Sequence, residues 1–354
     1  MIKSALFLSA LSFFSFARAY TIPQSKRTIN IVGKARHSAS YDSSSSSSSS
    51  SSYNSSSSSS YDPGSSSITD AEVLNYALTL EHLEVAFYTQ GLANFSADAF
   101  AEAGFAAAVR ANYDEILSHE ESHITLLQSV LEEMGADIVQ ACTYDFGSVD
   151  VASFIAMSAA FETVGASAYS GASNLLKRRS LLPAASSILS TEARQSTWIQ
   201  STVQHLNPWS GAFEVPLTPN QIFTIASNFI VECPSSNPPI AATHAFLPLS
   251  IPTTATPGAS VQLSFNLNET SASDLSDLSV AFLTSNGTIF EQFSSSDSYN
   301  VTFPTQEEGL LGTVFVLVVN STKDVTDSTT VAGPTPLMFP FNATNPQIEA
   351  LFPN

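Results

Sequence analysis

Four stretches between residues 69 and 233 repeat apolar side chains at spacings of three and four, and each breaks its stripe with a glutamate. That period belongs to helices packed along one face. In the first stretch Leu74, Ala77, Glu81, Glu84 and Tyr88 share a face; in the second, Ile116, Glu120, His123, Leu127 and Val130 do so. Ile155, Ser158, Glu162, Gly165 and Tyr169 line up in the third, and Ile188, Glu192, Gln195 and Ile199 in the fourth. A chain that buries these stripes buries four carboxylates with them. An unpaired buried carboxylate costs several kcal/mol or takes up a proton. Converging carboxylates also repel one another, and a cation is the simplest remedy.

The donor types limit which cation. Carboxylate oxygens with one imidazole and no sulfur suit iron or manganese. Bundles that hold two such ions take one Glu from each of two helices and Glu-x-x-His from each of the other two. Here Glu81 and Glu162 are the single ligands, with Glu84, one turn on, as the alternative to Glu81. Glu120-Glu121-Ser122-His123 is a full Glu-x-x-His; Glu192-Ala193-Arg194-Gln195 has Gln at the imidazole position, a weaker ligand. Tyr88 and Tyr169 lie where they can hydrogen-bond ligand carboxylates or simply pack in the core. No Gly-rich phosphate loop and no Gly-x-Ser-x-Gly turn is present.

The pattern predicts four long helices. Thr69-Asp70 caps the first, to about Gln90; the second spans roughly Ala107 to Met134; Asp150 caps the third, to about Leu176; Pro183 starts the fourth, which ends before Asn207-Pro208. Thr218-Pro219 opens a shorter fifth helix to about Val231. Beyond residue 240 the period drops to two: Val261, Leu263, Phe265 and Leu267 alternate with polar neighbours, as do Leu278, Val280 and Phe282, then Tyr299, Val301 and Phe303. Asn286-Gly287 marks a hairpin, and the continuous run Val314–Val319 suits a strand covered on both faces. The organisation expected is a four-helix bundle with a fifth short helix over 68–235, then an immunoglobulin-like β-sandwich over 240–354.

These residues carry a resemblance. The segment from about 70 to 233 is similar to the ferritin-like superfamily, and more narrowly to the ferritin-like domain of exported fungal stress-response proteins and plant desiccation-related proteins. The carrying motifs are Leu74-Asn75-Tyr76-Ala77-Leu78-Thr79-Leu80-Glu81-His82-Leu83-Glu84, Phe87-Tyr88, Ser118-His119-Glu120-Glu121-Ser122-His123, Phe161-Glu162, Glu192-Ala193-Arg194, and Pro216–Val231 followed by Cys233-Pro234. The resemblance implies a stress-linked protein with a di-metal site of two Fe or Mn ions, for iron oxidation or for oxygen or peroxide chemistry. The competing expectation is a non-catalytic extracellular scaffold whose inherited site is closed by hydrogen bonds among Glu, His, Gln and Tyr.

The remaining sequence speaks to address and partners. Residues 1–19 read as a secretory signal, with Lys3, an apolar run from Ala5 to Phe16 and Ala17-Arg18-Ala19 at the cleavage end. No later stretch looks long and apolar enough to span a membrane. Residues 20–67, dominated by Ser43–Ser52 and Ser55–Ser60, read as an unstructured tail suited to O-linked sugar and to cell-wall or extracellular-matrix association. Lys26-Arg27 resembles a processing site. Sequons occur at Asn54, Asn94, Asn268, Asn286, Asn300, Asn320 and Asn342. Cys142 and Cys233, the only cysteines, are expected to form a disulfide. With 12 Lys+Arg against 31 Asp+Glu, the formal net charge is −19, which excludes a nucleic-acid-binding face. Glycans and a β-domain would obstruct a storage-cage assembly.

Overall fold

The computed structural model describes residues 68–341. The leader, the Ser-rich tail, Lys26-Arg27, Asn54 and Asn342 lie outside the described residues. Four long helices form the bundle: α1 (Asp70–Asn94), α3 (Ala107–Glu133), α4 (Val151–Ala172) and α5 (Leu182–Trp198). A short α2 (Ala97–Glu102), capped by the Ser96 side chain, bridges α1 and α3 and has no counterpart in the sequence reading. Thr69 and Asp150 close capping boxes on α1 and α4, each satisfying amides that helix geometry leaves without partners.

Two sequence expectations need correction. The fifth helix, α6 (Pro219–Ala226), stops short of Val231, because Ile230–Glu232 (β2) instead pairs antiparallel with Thr143–Tyr144 (β1). The Cys142–Cys233 disulfide sits beside that ribbon and ties the α3–α4 loop to the chain beyond α6. Secondly, Val151–Leu175 is long and apolar enough to cross a membrane, although 89% of its most apolar window is buried inside the protein. Its alanines, serines and glycines mute its apolar look in sequence; in the fold it is the core helix, covered almost all round.

Six strands follow: β3 (Ser260–Gln262), β4 (Ser279–Thr284), β5 (Gly287–Ser295), β6 (Ser298–Thr302), β7 (Gly312–Val319) and β8 (Thr330–Phe339). They join in one antiparallel sheet of order β3-β6-β5-β4-β7-β8. The hairpin expected at Asn286-Gly287 forms one residue earlier: Ser285-Asn286 make the β4–β5 turn, and Gly287, paired with Thr284 at the start of β5, takes φ 128° where a side chain would be strained. Phe282 on β4 and Phe303 just past β6 meet edge to face at 4.8 Å although β5 lies between their strands. The sheet therefore curls over itself to enclose a core, since adjacent strands alone are about 4.8 Å apart. The prolines of β8, Pro334 and Pro336, are tolerated because β8 is an edge.

Parity on the central strands explains how the two regions join. Val280 and Phe282 of β4 enter the sheet's own core with Val314, Val316 and Val318 of β7. Their alternates, Ala281, Leu283, Phe315, Leu317 and Val319, belong to the same apolar cluster as Phe161, Val164, Ile222 and Ile225 of the helices. The Val314–Val319 run is thus covered on both faces, as its continuous apolarity predicts. Polar contacts lock the seam: the Asp327 carboxylate accepts from Thr218 Oγ1 at 2.5 Å and from Asn220 Nδ2 at 2.8 Å.

Candidate metal centre

The bundle brings the glutamates inward. Glu81, Glu120, Glu162 and Glu192 are each 0% exposed, and Glu84, His123 and Gln195 are buried beside them. One ligand atom each from Glu81, Glu120, His123 and Glu192 lies within 4.8 Å of the others, so three helices of the bundle feed one cluster. His123 Nδ1 is the hub, 2.8 Å from Glu120 Oε2, 3.2 Å from Glu81 Oε2 and 3.5 Å from Glu192 Oε1. The His sits where it does because Glu120 and His123 are three residues apart and project from one face of α3.

The fourth helix, α4, contributes Glu162 and a glycine. Glu162 stands outside the four-atom cluster, with its Oε1 accepting from the Tyr88 hydroxyl. Tyr169 donates in the same way to Glu81 Oε1. A Cβ on Gly165 would fall 2.4 Å from Glu192 Oε2 and 3.1 Å from Glu84 Oε1. Gly165 therefore clears the space into which the Glu84 and Glu192 carboxylates come together. Sequence reasoning placed Gly165 on the stripe without seeing this role; the available signal was a glycine at an inward position of an otherwise well-formed helix. Gln195 gives its amide nitrogen to Glu120 Oε1 at 2.7 Å, and its Oε1 is buried without a partner.

Burial governs the protonation of these groups. It pushes Glu81 up to about 7, opposed by its hydrogen bond with His123 and aided by the nearby Glu120 charge. Glu84, Glu162 and Glu192 are driven well above the usual carboxylate range, by burial first and then by mutual repulsion. Burial alone would lower His123, but its hydrogen bonds with Glu120 and Glu81 prevail and push it up to about 10. Without a cation the cluster is held together by protons.

The residues fit a metal ion. Both Glu192 oxygens and Glu162 Oε2 are buried with no hydrogen-bond partner, although Glu192 Oε1 is close enough to His123 for attraction. Buried polar atoms are normally paired, so such oxygens point to a missing partner. Hard oxygen donors with one imidazole match a first-row divalent ion. Glu81, Glu120, His123 and Glu192 can hold one; Glu84 and Glu162 adjoin them.

A four-helix bundle whose core is a carboxylate–histidine cluster is the class of protein that fold and site define. The narrower family follows from comparison: residues 69–205 match the model of the ferritin-like domain. The helical region of this chain is a ferritin-like domain, followed by an antiparallel β-sheet region, which bears out the resemblance read from Glu81, Glu120, His123, Glu162 and Glu192. Among curated relatives, Protein rds1 of Schizosaccharomyces pombe is 30% identical over 171 residues, 48% of this chain and 41% of that protein. The chain thus matches less than half the length of that relative.

Proposed function

We propose that the bundle binds two iron or manganese ions and uses them in oxygen, peroxide or iron-oxidation chemistry, in an exported, glycosylated, stress-associated protein. One observation carries the metal reading: buried carboxylates from separate helices meet around His123, and several of their oxygens have no partner. Bound ions would supply the redox change. The chain's own part is to hold the carboxylates: Tyr169 orients Glu81, Tyr88 orients Glu162, and Gln195 with His123 orients Glu120. Gly165 leaves the room in which the Glu192 carboxylate lies. Export is supported by the apolar leader, the bonded Cys142–Cys233 pair and the exposure of Asn94, Asn268, Asn286 and Asn320; Asn300 is half-buried.

Metal analysis of native protein tests the reading. About two Fe or Mn per chain are expected, and Glu120→Ala should lose them while keeping its helical circular dichroism. Absence of metal, with stability indifferent to chelator, would leave the second reading: a non-catalytic extracellular or cell-wall scaffold. That reading has its own observation, since hydrogen bonds already engage both oxygens of Glu120 and both of Glu81.

A further inference from the structure

The segment that leads from the end of α5 to α6 carries two aromatic rings into solvent, Trp209 at 60% exposure and Phe213 at 68%. No other Phe, Tyr or Trp among the described residues is exposed. A loose loop would need no explanation for this, but here the backbone is tied down on both sides of Trp209. Thr197 Oγ1 of α5 donates to the Pro208 carbonyl at 3.2 Å. On the sheet side, Ser210 Oγ accepts from the Thr313 amide at 2.7 Å, and its carbonyl accepts from Ser285 Oγ at 2.9 Å. Gly312 makes that approach possible, since a Cβ there would fall 2.6 Å from Ser210 Cα. One residue further on, Gly211 lies against the β4–β5 turn: a Cβ on it would fall 2.1 Å from Ser285 Oγ and 3.4 Å from Asn286 Oδ1. Asn286 is exposed and begins the sequon Asn286-Gly287-Thr288. Trp209 and Phe213 each stand two residues from Gly211, so their Cα atoms lie within about 7 Å of that glycine's.

We propose that Asn286 carries an N-linked oligosaccharide whose rings nearest the protein lie against Trp209 and Phe213. The linkage joins Asn286 Nδ2 to C1 of the sugar of a lipid-diphosphate-linked oligosaccharide: the N–C bond forms, the C–O bond to the diphosphate breaks, and the amide proton leaves with the diphosphate. A pyranose ring has an apolar face of C–H groups and a hydroxyl rim, so an aromatic ring can cover the first and leave the second in water. Attachment at Asn286 holds the sugar near both rings at a high effective concentration, an advantage that a free polysaccharide lacks. A second copy of this chain would bring a further −19 of charge to the same surface, whereas a neutral sugar brings none. The sugar would thus clamp the α5–α6 segment to the sheet where Ser210 and Ser285 already join them. This rests on the glycosylated reading of the chain and is independent of the metal.

Full-length protein secreted from a host that adds N-linked sugar tests this, with glycopeptide mass spectrometry to read occupancy and thermal melts to read the contact. Asn286 should be occupied. Thr288→Val removes the sequon while keeping Asn286 in the turn and a β-branched residue in β5, and should lower the melting temperature by about 2–4 °C. In a Trp209→Ala/Phe213→Ala background the same change should shift it by less than about 1 °C, because the sugar has lost its seat. Tryptophan emission should move to longer wavelength in Thr288→Val and not in Thr288→Val/Trp209→Ala, which keeps Trp198 alone. Equal melting shifts in both backgrounds, or an empty Asn286 beside other occupied sequons, would overturn this proposal alone; no sugar at any sequon would overturn the glycosylated reading with it. Binding of soluble glucan by Thr288→Val through Trp209 would assign the rings to an outside polysaccharide and overturn the tethered one.

Discussion

The core of the curled sheet and the core of the bundle bury their strands and helices equally well but fill them differently. On β4 and β7 the inward residues of the sheet core are Val280, Phe282, Val314, Val316 and Val318, all 0% exposed and all apolar. At mid-bundle the fully buried residues include four carboxylates, Glu81, Glu120, Glu162 and Glu192, beside Tyr88, Tyr113 and Phe154. The first arrangement converts buried area directly into stability, at about 25 cal/mol per Å². The second gives up part of that gain in desolvation and repulsion. A fold keeps such a region only if the surrounding packing can carry it, and here the same helices that hold the acids share an apolar cluster with the sheet. The contrast separates burial that stabilises from burial that prepares a site.

Breaking the sheet side should have the largest effect. Phe282→Ala removes a ring packed against Phe303 and is expected to cost about 3–5 kcal/mol in chemical denaturation. The bundle side should respond with the opposite sign: Glu192→Leu, replacing a carboxylate whose two oxygens have no partner, should stabilise metal-free protein by about 1–4 kcal/mol at neutral pH while lowering metal affinity. Loss of stability in that variant without metal would show that the acid is satisfied in some other way.

The pH response sharpens the comparison further. A carboxyl raised in the folded state binds its proton more tightly there than when unfolded, so its contribution is complete below the unfolded value and is lost as pH rises. For Glu81 that window runs from 4.5 to about 7, and for His123, raised likewise, from 6.5 to about 10. Metal-free protein should therefore melt at progressively lower temperature as pH rises from about 5 toward 9. Added Mn(II) should reverse the trend, because ions compete with those protons. A melting temperature that climbs with pH in chelator would contradict the protonated cluster. The smallest effect is expected from Gly165→Ala, whose methyl would meet Glu192 Oε2: folding nearly intact, metal affinity down about tenfold, read by titration.

Much of this was legible from residue spacing. The 3-4 stripes predict the helices and the burial of Glu81, Glu120, Glu162 and Glu192, period two predicts strands around Val280 and Val301, and the continuous apolar run predicts Val314–Val319. What spacing could not give were features made by distant partners. Strand β8 reads poorly because Pro334 and Pro336 argue against a strand, and only its edge position makes them acceptable. The β1–β2 ribbon joins Thr143 to Glu232, far apart in sequence, and so truncates α6. Gln195 reads as a weak oxygen ligand, whereas the fold turns its amide nitrogen onto Glu120.

The amino-acid order alone determined which faces must be buried and that four acids must go with them, because helical period and side-chain polarity are local properties. Which oxygens meet and which stay unpaired were decided only by packing, because those depend on the positions of side chains that approach from different helices.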